Sequence, residues 1–274
     1  MRRMTLVAAL LLCGGAQALE LDGRLEQGGI AMGKARPGSM VRLDGRDVPT
    51  AADGTFLLGF GRDAPEQAVL EADGQRRVLT IARREWKVQR IQGLPPAKVT
   101  PDPAELARIK AENELVAARR AVVSLLPLFR SGLAQPADGP VSGVFGSQRI
   151  LNGEGRAPHS GTDIAAPTGA PARSVADGVV TLAHPDMFFT GATVMIDHGL
   201  GLQSVYAHLS RLDVAEGQRV SKGQIIGAVG ASGRATGPHL HWGITWLDVR
   251  LDPETAQAAL GTAAPPHTSD IENR

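Results

Sequence analysis

The chain is 274 residues long, 43% hydrophobic and 21% charged, which excludes disordered and collagen-like chains and leaves length enough for a substantial core. Lys and Arg number 29 against 28 Asp and Glu, a formal net charge of +1 with no basic run. The electrostatic footprint of a nucleic-acid binder is missing, and neither DNA nor RNA is expected as a partner. The 33 glycines and 18 prolines imply many turns and mostly β-structure, in two units.

Residues 1–18 read as a secretory signal, with Arg2 and Arg3 as a basic start, Met4 to Leu12 as the apolar core and Ala16-Gln17-Ala18 as a small-x-small cleavage site. About nine apolar residues cannot cross the roughly 30 Å of membrane hydrocarbon, and no later stretch reaches about 18. The expectation is an exported protein of the periplasm or cell wall, with no stable membrane insertion after signal removal. Cys13, the only cysteine, is preceded by Leu12 where a lipoprotein signal carries a small residue, so no lipid anchor is expected. Removing the signal takes two arginines and no acid, turning +1 into −1 and leaving no thiol. Such a chain must be held by its core or by a metal.

Between residues 19 and 92, four Asp-Gly dipeptides (Asp22-Gly23, Asp44-Gly45, Asp53-Gly54, Asp73-Gly74) separate short apolar or alternating runs such as Thr55 to Phe60 and Val78 to Ile81. Asp-Gly tolerates the positive φ of tight hairpins, so the spacing predicts a small antiparallel β-domain, a packing or docking module without a chemical cluster. Residues 93–139 form a proline-rich linker and a helix. Asp102 caps it, Pro103 takes its first position, and Leu106, Ile109, Val116 and Val123 recur at helical spacing, which predicts a helix from Pro103 to Leu125. Residues 140–255 return to strand-like runs, at Val175 to Leu182, Thr193 to Asp197, Leu202 to His208, Gln224 to Val229 and Leu240 to Thr245. Residues 256–274 read as a flexible tail.

Four of the seven histidines, His159, His208, His239 and His241, fall in this second β-region beside glycine-rich turns. In Gly237-Pro238-His239-Leu240-His241-Trp242, strand alternation puts His239 and His241 on one face and Leu240 on the other. An isolated His-x-His of this kind is equally compatible with two hydrogen-bonded surface side chains. His159 and Asp163, four apart, share a side on a helix or on a strand, and Pro158, Gly161 and Pro167 favour the extended form. Histidines with a carboxylate make a ligand set suited to zinc. Three protein ligands with an open fourth position is the catalytic arrangement, since a closed structural site usually uses cysteine. Zinc lowers the pKa of bound water from about 15.7 to about 7.

In order along the chain, His159-x-x-x-Asp163, then Tyr206-Ala207-His208-Leu209, then Gly233 through Thr236-Gly237-Pro238 into His239-Leu240-His241, the sequence resembles the LytM and lysostaphin-like zinc endopeptidases, which cut peptide cross-links in bacterial peptidoglycan. The resemblance covers roughly Pro140 to Pro253. It implies an antiparallel β-sheet peptidase domain of LytM type, one zinc per chain bound by His159, Asp163 and His241, and His208 and His239 as the pair that activates water and stabilises the oxyanion. The implied substrates are peptidoglycan stem or cross-link peptides. The tyrosine that some members carry just before the first ligand is missing from Leu151 to Pro158, and Tyr206 reads more simply as a core or groove-wall aromatic than as its replacement.

The alternative is a LytM-like regulator or activator of other cell-wall hydrolases, without activity of its own. Such proteins lack some of the five polar residues, all of which stand here. Envelope regulator proteins stay open as partners. Glu216 to Gln224 is similar to the hairpin entry of biotinyl or lipoyl carrier domains, but Lys222 lacks their flanking residues, so the segment reads as ordinary hairpin geometry. Asp197-His198, followed by Gly199 and Gly201, reads as a strand-to-turn junction, and a purely structural β-protein would leave the histidine placement unexplained. The proline linker and helix further suggest that residues 19–135 restrain access to the site.

Overall fold

In the computed structural model, residues 19–91, 103–151, 154–155 and 157–261 are described. The predicted signal, the linker residues 93–102 with the expected helix cap Asp102, and His267 lie outside them. The described chain is mainly β, and nearly all its strand pairs are antiparallel. None of the described helices is long and apolar enough to cross a membrane.

The N-terminal unit consists of a three-stranded sheet (Leu21–Gly23, Ile30–Lys34, Thr55–Gly59) and a four-stranded one (Arg46–Asp47, Val41–Leu43, Gln67–Ala72, Gln75–Thr80). Two of the Asp-Gly pairs make the two-residue hairpins that their chemistry favours. Asp44 and Gly45 have φ of 50° and 77°, and Asp73 and Gly74 have 56° and 76°, the double positive φ that matches strand twist. Asp53-Gly54 turns the chain into Thr55–Gly59, whereas Asp22-Gly23 lies inside a strand rather than in a hairpin.

Helix α1 spans Pro103–Arg120, with Glu105 in its first turn and Arg119 and Arg120 in its last. It stops five residues short of the predicted end at Leu125. Beyond Arg120, tertiary bonds compete with helical ones, because the Ser124 carbonyl accepts from Leu200 N–H at 2.7 Å. Leu115 and Val116 pack on Leu182, Met187 and Met195, whereas Leu106, predicted on the buried stripe, is exposed.

The C-terminal unit is built on an antiparallel sheet of ten described strands, whose backbone is Gly178–Met187, Gly191–Gly199, Leu202–Leu212 and Leu240–Trp246. Alternation divides its residues between two faces. Tyr206, Trp242 and Ile244 point into the main core, and Met195, Val205, His241 and Thr245 point to the face that α1 partly covers. One apolar core runs through both units, from Ile30, Phe56 and Leu58 to Tyr206, Trp242 and Leu251. Arg84 joins them by an ion pair to the buried Asp252 at 2.8 Å, and Arg62 Nε donates to the Gly146 carbonyl at 2.8 Å. Val88–Ile91 pairs in parallel with Gln148–Leu151. The loose tail expected from residue 256 begins instead as a second helix, α2 (Pro253–Leu260). Asp252 caps it by accepting from Glu254 N–H at 3.0 Å, and Ala256 and Leu260 are buried. Capping, proline at the first position and two buried side chains outweigh its short length.

Candidate metal centre

Asp163 lies on the short strand Thr162–Ile164, directly opposite His241 on Leu240–Trp246. Its other neighbour is Gly143 of Val141–Gly143, where a Cβ would fall 2.4 Å from Asp163 Oδ2, so only glycine leaves room for the carboxylate. His159 sits on the preceding loop, tied by His159 N–H to the Ser147 carbonyl at 2.8 Å and by Gly146 N–H to its own carbonyl at 2.9 Å.

Three donor atoms converge. His159 Nε2 is 3.1 Å from Asp163 Oδ1, His241 Nδ1 is 2.8 Å from the same oxygen, and the two nitrogens are 3.2 Å apart. These are the His/Asp atoms placed to hold a metal ion among the described residues. His159 Nδ1–H is donated to the Val144 carbonyl at 3.0 Å, and His241 Nε2 faces Ser160 Oγ at 3.5 Å. With the far nitrogens so occupied, two imidazole lone pairs and a carboxylate oxygen face one another, an arrangement that calls for a cation. The edges approach the about 3.3 Å that separates neighbouring donors around a tetrahedral ion with bonds of about 2.0–2.1 Å. Backbone carbonyls fixing the outer nitrogen are the usual support for metal-binding histidines. The residues therefore fit a metal.

His208 and His239 complete the cluster. Simple alternation from Tyr206 would turn His208 into the core with the tyrosine, as the sequence suggests. A β-bulge prevents it: opposite Ala192 to Val194 the register slips by one, and His208 takes a φ of 62°. Bulges re-aim side chains in this way, and here the imidazole turns to the His241 face. Its ring centroid lies 4.8 Å from that of His239 and 6.1 Å from that of His241. Tyr206 stays in the core, where its Oη accepts from Val175 N–H at 2.8 Å. His208 Nδ1–H is donated to the Ser232 carbonyl and His239 Nδ1–H to the Gly237 carbonyl, each at 2.8 Å. Both Nε2 atoms are left as acceptors, and that of His239 lies 3.8 Å from Asp163 Oδ1.

Burial opposes ionisation of Asp163, but His159 and His241 outweigh it and hold the carboxyl well below the usual carboxylate range, because without a metal any proton on their inward nitrogens is donated to Oδ1. Burial pushes His241 down against the pull of Asp163, and burial lowers His208, with His239 and His241 adding to the effect. An ionised carboxylate facing the unprotonated nitrogens of His159 and His241 is the form that binds a divalent cation. A cleft of about 330 Å3 opens from His241 and Ser160 and runs between α1 and the sheet. Ser160, beside His241, is a site residue that the motif reading passes over, although its place next to His159 marks it. The cleft itself has no signal in the sequence, because α1 and the sheet meet only in the folded chain.

Asp197 and His198 form no second centre. His198 is fully buried, donates Nδ1–H to the Asp177 carbonyl at 2.8 Å and lies 2.7 Å from Ser204 Oγ. Burial holds its pKa down at about 4, and burial pushes the Asp197 carboxyl up to about 6. The two act on stability with opposite sign. Between pH about 6.5 and 4 the unfolded chain protonates the histidine and the folded chain does not, so acidification destabilises. Between about 6 and 4 the folded chain holds the Asp197 proton and the unfolded chain does not, so acidification stabilises. Asp197→Asn keeps the Oδ1 that accepts from Gly199 N–H at 3.0 Å and removes the second effect. The variant is expected to be more stable than the parent at pH 7.5 by about 3 kcal/mol, and to lose stability more steeply from pH 6.5 to 4. Urea midpoints across that range check this, and parallel curves would refute it.

The sequence profile of peptidase family M23 matches residues 157–253, the segment that carries all five polar side chains. Among curated proteins, the peptidoglycan DD-endopeptidase ShyA of Vibrio cholerae is 49% identical over 105 residues, covering 38% of this chain and 23% of that protein. The DD-carboxypeptidase/endopeptidase Mpg of Neisseria meningitidis is 50% identical over 84 residues, covering 31% of this chain and 19% of that protein. The chain thus spans less than a quarter of the length of either relative. Among solved structures, a candidate peptidase M23 from Pseudomonas aeruginosa is 31% identical with a TM-score of 0.66, covering 87% of this chain and 97% of that one. That similarity reaches across both units, N-terminal sheets included, and with the family profile over residues 157–253 it establishes that this chain belongs to peptidase family M23.

Proposed function

We propose that the protein is a zinc-dependent endopeptidase that hydrolyses stem or cross-link peptides of bacterial peptidoglycan and leaves the glycan strands intact. The observation that carries the reading is the convergence of His159, Asp163 and His241 on one point, with His208 and His239 beside it and their Nδ1 atoms held by backbone carbonyls. The names of the similar proteins support the substrate class.

His159 Nε2, Asp163 Oδ1 and His241 Nδ1 would hold one zinc per chain. A zinc ion there supplies Lewis acidity, polarising a peptide carbonyl and acidifying water. The remaining work falls to the two other histidines. The tautomer set by the Ser232 and Gly237 carbonyls leaves Nε2 of His208 and His239 free to accept a proton from the attacking water as its oxygen bonds to the carbonyl carbon. The protonated imidazole is then an N–H donor, which can face the developing oxyanion and deliver its proton to the amine nitrogen as the C–N bond breaks. The reading of residues 1–18 as a signal and the peptidoglycan substrate agree on a periplasmic or cell-wall location.

The test is mass spectrometry of soluble products after zinc-loaded protein meets purified cross-linked peptidoglycan, with His208→Ala in parallel. Peptides bearing a new amine should appear with the parent alone. One bound zinc and no products from either protein would favour a regulator of other hydrolases.

A further inference from the structure

The cleft that begins at His241 does not end there. Along Leu240–Trp246, residues His241, Gly243 and Thr245 all face into it, and at about 3.3 Å per residue Thr245 stands about 13 Å from His241. At this far end the cleft is lined by Thr245, by Arg250, which pairs with Thr245 across the strands, and by Arg120 in the last turn of α1.

The polar groups here lack partners. Arg120 Nε and Thr245 Oγ1 are both buried without a hydrogen bond, and Thr245 is only 2% exposed. Among the described residues neither Arg120 nor the exposed Arg250 is in an ion pair, whereas Arg108 and Arg119 of the same helix both are. Arg119, at the same helix end, also has a buried Nε without a partner, but its Nη2 pairs with Glu216 at 2.9 Å, whereas Arg120 has no such ion pair. The single acid lining the cleft, Glu112, is already committed, accepting from Arg108 Nε at 2.7 Å and from Phe188 N–H at 2.8 Å. Burial and the neighbouring Arg250 push the Arg120 guanidinium down to about 10, so it is still charged at neutral pH and faces another cation. Two uncompensated guanidiniums and a free hydroxyl form a donor set for a planar anion, which arginine grips through paired N–H groups.

We propose that Arg120, Arg250 and Thr245 bind a free carboxylate of the peptide substrate, held about 13 Å from the bond that is cut, the span of about four extended residues. The inference rests on the endopeptidase reading and adds to it a requirement on the substrate's charge and length. The carboxylate comes from a chain terminus or from an acidic residue within the peptide, and the experiment separates the two.

One cross-linked stem-peptide dimer is made in three forms: unmodified, amidated only at its terminal α-carboxylates, and amidated only at its other carboxylates. Cleavage by the zinc-loaded full chain is measured for each, with calorimetric binding of the same peptides alongside. One amidated form should show KM raised about tenfold with kcat within twofold, and which form it is names the source of the carboxylate. An Arg120→Gln/Arg250→Gln variant should treat all three peptides alike at the weaker level, and Arg120→Lys should restore part of the discrimination. Equal handling of all three forms by the parent, or discrimination that persists in the double variant, overturns the proposal. If the unmodified dimer is not cut at all, the endopeptidase reading fails, and the calorimetric comparison still decides the carboxylate site.

Discussion

Replacing His241 by alanine, or Asp163 by asparagine, is expected to abolish stoichiometric zinc binding and to lower peptidoglycan cleavage by about three orders of magnitude or more. The reason is the shared geometry. Asp163 Oδ1 lies 2.8 Å from His241 Nδ1 and 3.1 Å from His159 Nε2, so each atom is one corner of a single triangle and losing any one opens it. Asparagine presents an amide where an anion is needed, and alanine at 241 leaves His159 and Asp163 as two ligands. Zinc content by elemental analysis, read beside product release, checks the expectation. A variant with one tightly held zinc and parental activity would show that the metal binds elsewhere.

The second large effect is of a different kind. His208→Ala and His239→Ala should each keep one zinc and lose about 10²- to 10⁴-fold in kcat, the usual contribution of a positioned general acid–base. The two rings lie 4.8 Å apart and both carry their acceptor at Nε2, so in the proposed mechanism they handle the same proton. The double variant is therefore expected to fall only slightly below the poorer single one, since groups that act as a unit are not additive. Multiplicative losses in the double variant would mean independent roles, and an unchanged kcat in either single variant would remove that histidine from the mechanism. Chain anchoring matters for the interpretation of His208→Ala. The backbone N–H of residue 208 donates to the Thr190 carbonyl at 2.8 Å whatever the side chain, so the bulge should survive the substitution.

A restraint of the site by residues 19–135 takes on a different cast once the fold is known. The N-terminal sheets share a core with the peptidase sheet, and the Arg84–Asp252 pair and the Arg62 bond to Gly146 cross between them. What stands over the site face is α1, and it forms one wall of the cleft.

The sequence by itself determined the residue types and their order: the alternation that sends His241 to one face and Leu240 to the other, the Asp-Gly hairpins at Asp44 and Asp73, and the start of α1 at Pro103. These are local preferences, set by side-chain period and backbone sterics. Only the tertiary structure decided where α1 stops, that residues 253–260 form a helix, and which way His208 points. In each case a long-range contact outweighs the local pattern: the Ser124 carbonyl taken by Leu200, the core that buries Ala256 and Leu260, and the slipped register opposite Ala192. The partnerless Arg120 belongs with these. In the sequence it is one more cation at a helix end, and it becomes a binding group only because the sheet brings Arg250 and Thr245 to face it.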